Sequence, residues 1–211
     1  MGRARRAAAA AGAALLAASV PGGIVASPEG AAKPVTIFSR PGILFGSVDS
    51  PLPGEAVSIQ AKDCGQRAFR VVSGTTTHVG GDWTMHFGPG INSTVRAVWR
   101  NHTSSPITIR QPAFVTLNRR TGRRLEVFVT AQRNLWRKRV RIQLYDRRRA
   151  TWTNVRWVVL TDTYARPGSP FTSTMARLVL RVPKGTLLRA ILPSSEARPC
   201  YAAGVSRAVR M

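Results

Sequence analysis

Apolar and polar residues alternate along most of this chain. "AVSIQA" puts Val57, Ile59 and Ala61 on one face, and "DWTMHF" does the same with Trp83, Met85 and Phe87. "VRAVW" offers Val95, Ala97 and Trp99, and "SPITIR" offers Ile107 and Ile109. The second half keeps the habit, first in Leu125, Val127, Val129 and Ala131, then in Val140, Ile142 and Leu144. Ala176, Leu178, Leu180 and Val182 follow, and then Leu188, Ala190 and Leu192. A period of two marks a strand with one buried face. Gly, Pro and Asn break the runs in "SPLPGE", "GPGIN", "RTGRR", "ARPGSP" and "VPKG". Gly there permits positive φ, and Pro fixes φ at the start of a turn. Short strands at roughly ten-residue spacing predict an all-β sandwich or barrel. Beyond the N-terminal stretch no run has helical periodicity.

The pattern also repeats over a longer distance. "VSIQ" at 57–60 matches "VRIQ" at 140–143, and Phe69 matches Trp152 at the same offset. "PGINSTVRA" at 89–97 matches "VPKGTLLRA" at 182–190, and "SSPITI" at 104–109 matches "SRAVRM" at 206–211. The offset grows along the chain, as it would if a second copy had gained loop residues in "LTDTYARPGSP" and "PSSEARPCYAAG", since loops tolerate insertion and strands do not. Two copies of one β-sandwich are therefore expected, divided near Gln111 and Pro112 into 36–111 and 112–211. Trp83, Phe87 and Trp99 are the expected large core residues of the first. Trp152, Leu180 and Leu192 are their expected counterparts, with Met211 in the place of Ile109.

The stretches "RKRVRIQ", "TWTNVRWVVLTDT", "VPKGTLLRA" and "CYAAGVS" resemble those of bacterial secreted proteins built from tandem immunoglobulin-like β-sandwich repeats. The likeness runs over nearly all of residues 36–211. It implies an all-β fold of two tandem immunoglobulin-like antiparallel β-sandwiches. It also implies an extracellular or cell-envelope structural, adhesive or binding module, usually without catalysis. One departure stands out: each copy has a single cysteine, so neither holds the inter-sheet pair of antibody domains.

The N-terminus changes the reading of location. A basic "MGRARR" precedes an apolar, Ala-rich stretch at 7–20 and then small residues and turn formers. That order predicts a secretory signal peptide at 1–26, with Ala32 the alternative cleavage point, and a linker at 27–35. Too few apolar residues precede Pro21 to span a bilayer comfortably, and no later run is long enough. In an exported protein Cys64 and Cys200 are chemically free to form a disulfide between the halves. Whether their Cα atoms lie close enough is open at this level.

Charge adds a candidate function. The chain carries 32 Lys and Arg against 9 Asp and Glu. Residues 112–211 hold 21 basic and 4 acidic side chains, a net of +17. Such a field attracts polyanions, although GC-rich coding alone also favours Arg over Lys. The candidate contacts cluster in "NRRTGRR" (Arg119, Arg120, Arg123, Arg124), "WRKRVR" (Arg137, Lys138, Arg139, Arg141) and "DRRR" (Arg147, Arg148, Arg149). Arg177 and Arg181 lie on a later strand. Guanidinium groups grip phosphate and carboxylate with two parallel bonds. If these strands share a neighbourhood, one cationic surface results, with the strand-borne tryptophans beneath it in the core. The partner would be an anionic cell-surface polymer, nucleic acid or another envelope protein. A carbohydrate-binding accessory module is a weaker alternative. His78, His86 and His102 have no metal-site spacing, with His86 expected to face solvent, and no nucleophile motif appears. No catalytic residue, metal ligand or cofactor is expected. The sequons at Asn92 and Asn101 would accept glycans only in a eukaryotic secretory path.

Overall fold

The computed structural model describes residues 34–211. The expected signal peptide and most of the expected linker lie outside the described residues. The described residues form one compact unit, and within it the chain builds two antiparallel β-sandwiches in succession. The first contains β1 (Phe38–Arg40), β2 (Ile43–Ser47), β3 (Ala56–Asp63), β4 (Arg70–Thr76), β5 (Asp82–His86), β6 (Ser93–Trp99), β7 (His102–Thr103) and β8 (Ile107–Ile109). Its sheets run β1-β2-β5 and β4-β3-β6-β7, with β8 also paired to β6. The second contains β9 (Phe114–Arg119), β10 (Arg124–Ala131), β11 (Arg139–Asp146), β12 (Thr151–Val159), β13 (Asp162–Ala165), β14 (Thr172–Val179), β15 (Leu187–Leu192), α1 (Ser194–Ala197), β16 (Gly204–Val205) and β17 (Val209–Arg210). Its sheets run β13-β14-β10-β9 and β12-β11-β15-β16, with β17 also paired to β15.

Alternation placed the core correctly, because a strand between a partner sheet and solvent can bury only every second side chain. Val57, Ile59, Ala61, Trp83, Val95, Ala97 and Trp99 form one buried cluster. Leu125, Val127, Val129, Val140, Ile142, Leu188, Ala190 and Leu192 belong to another. Three expectations need correction. Trp152 is not core: it lies half-buried on the outer side of its sheet, against Tyr145 (ring centroids 5.2 Å apart). Val35, expected in the linker, pairs with Val48 and is buried in the first core. The clean division at residues 111 and 112 is also blurred, because Ile91 and Cys64 pack into the second cluster.

The central pairings of the first five-stranded sheet have counterparts in the second. Ile59 faces Ala97 as Ile142 faces Ala190, and Val95 faces Ile107 as Leu188 faces Val209. Ser104 Oγ accepts the N–H of Ala97 at 2.9 Å, and Ser206 Oγ accepts that of Ala190 at 2.9 Å. The register of β3 against β4 shifts at Ile59/Gln60, and that of β11 against β12 shifts at Ile142/Gln143.

Cys64 and Cys200 are disulfide-bonded, with Cα atoms 5.2 Å apart. The bond joins the end of β3 to the loop after α1. Asn92 fastens the same junction. Its Nδ2 donates to Pro199 O (2.9 Å) and its Oδ1 accepts from Gln111 N (2.8 Å), while its own N–H donates to Cys200 O (2.9 Å). The amide of that sequon is therefore committed to the fold.

Candidate anion-binding surface

Pairing of β11 with β12 and β15 lines up one outward row after another. Arg141 faces Trp157 and Ile191, Gln143 faces Asn154 and Arg189, and Tyr145 faces Trp152. Gln143, expected at the surface, is 8% exposed. It sits on the outer face but is roofed by its neighbours: its Nε2 donates to Asn154 Oδ1 (2.8 Å) and its Oε1 accepts from Arg189 Nε (2.9 Å). The Arg189 guanidinium lies 4.2 Å from the Trp152 ring centroid, a cation–π contact. Burial lowers the Arg189 pKa, but a guanidinium keeps its charge throughout the ordinary pH range.

One row away, Trp157 is 43% exposed. Arg141 and Arg139 stand over its ring at 4.5 and 5.3 Å. Arg139 is neutralised, since its Nε donates to Glu196 Oε1 (2.8 Å). Burial alone would raise the Glu196 pKa. The bonds from the Arg139 side chain and backbone N–H outweigh it and hold the carboxyl below its ordinary range. Among the described residues Arg141 has no acidic partner, and its Nε is buried without a hydrogen bond.

A second cationic feature occupies the opposite sheet. Arg120, Arg124, Glu126 and Arg177 line a depression of about 640 Å³ beside the β9–β10 hairpin. Glu126 accepts from Arg120 Nε (2.7 Å) and Arg177 Nε (3.4 Å). The Arg120 bond, then that of Arg177, lowers its pKa despite burial. Two guanidinium groups thus share one carboxylate, and Arg124 adds a third cation to the same depression.

The thirteen predicted basic residues do not form one surface. Arg139 and Arg141 lie on the sheet of β11, whereas Arg124 and Arg177 lie on that of β10 and β14. Arg119 donates to Arg210 O (3.4 Å), while Arg123 is exposed in the β9–β10 hairpin and Arg181 is exposed beyond β14. Arg147, Arg148 and Arg149 cap the β11–β12 turn, where Asp146 Oδ1 accepts the N–H groups of Arg148 and Arg149. Arg137 stacks on Trp136 at 4.2 Å, with Lys138 next to it in a turn. The expectation that strand-borne tryptophans are core also fails in β12, where Trp152 and Trp157 each carry a guanidinium, as does Trp136 in the turn before β11. Sequence reasoning missed Arg189 and Asn154. The repeated "VSIQ"/"VRIQ" and "TVRA"/"LLRA" held the signal, since Gln and Arg were the matched outward residues.

Among the described residues no three His, Cys, Asp or Glu side chains group at a metal-binding distance, and no helix is long and apolar enough to cross a membrane. No protein-family model matches the chain, and no curated protein matches it. Among solved structures it is similar to a chain of a cytokine receptor complex, at 10% identity and a TM-score of 0.34. That match covers 84% of this chain and 94% of the other.

Proposed function

We propose that this chain is a secreted or envelope-exposed, non-enzymatic adhesive module of the bacterial tandem-repeat kind. It holds an anionic cell-surface polymer on the outer face of β12, β11 and β15. The observation that carries this reading is the state of Arg141 and Arg189. Both are fixed against tryptophan rings, and neither meets a carboxylate among the described residues. A cation braced in place loses little freedom when it binds, so most of its interaction survives as affinity. The 4 acids of residues 112–211 cannot neutralise 21 cations. A disulfide suits an oxidising compartment, which supports export. Duplicated sandwiches suit a structural part repeated along a surface protein.

Acidic polysaccharide or phosphate-bearing wall polymer fits better than nucleic acid. The rings that could stack on bases already carry guanidinium groups, and base stacking is what single-strand binders need. The test is retention on immobilised heparin across a salt gradient. The mature protein should elute late, and its affinity should fall linearly with salt on logarithmic axes, as counterion release requires. R141Q/R189Q should bind about tenfold more weakly or worse, while R67Q, in the first sandwich, should elute with the parent. Co-elution of the double variant with the parent would overturn the proposal. Stronger retention on duplex DNA than on heparin would reassign the ligand.

A further inference from the structure

The first sandwich carries the same device in a place where charge gave no reason to look. Arg96 Nε donates to Gln60 Oε1 at 2.8 Å, and its guanidinium lies 4.2 Å from the Phe69 centroid. The corresponding distances at Arg189, Gln143 and Trp152 are 2.9 and 4.2 Å. Each glutamine follows a bulge at the same point of its strand, and bulges re-aim side chains. The other outward positions have diverged: Ser58 corresponds to Arg141, Lys62 to Tyr145, Thr94 to Leu187 and Val98 to Ile191. What the two faces share is the glutamine-held arginine on an aromatic ring.

With Nε committed to glutamine and the plane stacked on a ring, each guanidinium presents its two Nη groups. That fork matches the oxygens of a sulfate, phosphate or carboxylate. No described acid of the first sandwich occupies it: Asp63, on the same strand as Gln60, is taken by Arg70 (2.6 Å) and Ser93 (2.7 Å). Lys62 adds a second cation 5.4 Å from the Phe69 centroid. We infer that Arg96, with Gln60, Phe69 and Lys62, is a second oxyanion-receiving subsite, equivalent to that at Arg189. An acidic polymer is thereby engaged by both sandwiches. The ligand class rests on the function proposed above.

Calorimetry with a heparin tetrasaccharide separates the two readings. R96Q and R189Q should each bind one equivalent fewer than the parent. K62Q should weaken the site at Arg96 several-fold, which a purely bracing role for Arg96 would not cause. Loss of one equivalent in R189Q but none in R96Q overturns this inference and leaves the proposed function standing. Loss in R96Q alone has the reverse meaning, and loss in neither removes both. Should R96Q fail to fold, F69W supplies the decision. Its added emission should change saturably with the tetrasaccharide, with the midpoint moved to several-fold higher ligand concentration in F69W/K62Q. Emission from F69W that does not respond to the tetrasaccharide overturns the subsite.

Discussion

Tyr201 shows how one atom ties loops together. Its side chain is buried, and its hydroxyl oxygen accepts the N–H of Gln132 at 2.7 Å. Burial raises its pKa, against the lowering effect of that bond. Y201F leaves the Gln132 N–H without its partner and should cost about 1–3 kcal/mol, read as a lower urea midpoint. Acid acts through other residues. Arg100, then Trp99, lowers the Glu55 pKa by hydrogen bonding, and arginine partners lower those of Glu126 and Glu196. A carboxylate depressed in the folded state adds stability above its unfolded pKa of roughly 4.3. That stability fades as pH falls through the folded value. Urea midpoints should therefore be flat from pH 7 to 5 and drop by pH 3. Equal midpoints at pH 5 and 3 would contradict the pairing. Residues of this sort are hard to read from sequence. Alternation tells which face a residue is on, but not whether its outward neighbours will roof it. Gln143 is therefore covered where the pattern predicts exposure, and Trp152 lies outside where it predicts core.

Strands were legible because a period of two leaves a mark in every pair of residues, whereas the single turn of α1 is too short to show any period. Glycines inside strands were not legible, since the reason for them lies on another element. Gly46 in β2 is one: a Cβ there would run into the Thr36 carbonyl and sit 2.7 Å from the Trp83 ring. Thr36 also bonds Ser47 through its backbone N–H at 2.9 Å, so neither side can yield cheaply. G46A should destabilise the protein by about 1–3 kcal/mol, the usual effect of overpacking. Gly74, in the edge strand β4, supplies the contrast. Its Cβ would meet only Val57 O, at an ordinary 3.6 Å. G74A should raise stability by about 0.5 kcal/mol through the unfolded chain. Denaturation midpoints of the two variants should move in opposite directions. A shared direction would mean that backbone entropy, not the Trp83 contact, sets the outcome.

At the scale of the whole molecule, only the three-dimensional structure reveals how the two sandwiches are joined. Cysteine count permitted a link, but proximity depends on where the loop after β15 returns. That loop is one of the two stretches where the offset between matched segments grows. The bond spans 136 positions of sequence. Chain entropy assigns a closed loop of that size up to about 5 kcal/mol, and native disulfides typically contribute about 2–4. The two apolar clusters remain separate, so the disulfide and the Asn92 bonds are chief means by which unfolding of one sandwich reaches the other. In C64S/C200S that coupling rests on the peptide link, the Asn92 bonds, the Arg133 bond to Cys64 O (2.7 Å) and the packing of Ile91. Two probes should then part company. Near-ultraviolet dichroism from Trp83 and Trp99, both buried in the first core, should report one melting transition. Emission from the exposed Trp136 and Trp157 of the second sandwich should report another. In the oxidised parent the two should coincide. Coincident transitions in the cysteine-free chain would show that the sandwiches are coupled by packing at Ile91 and its neighbours, and that the disulfide adds stability without adding cooperativity.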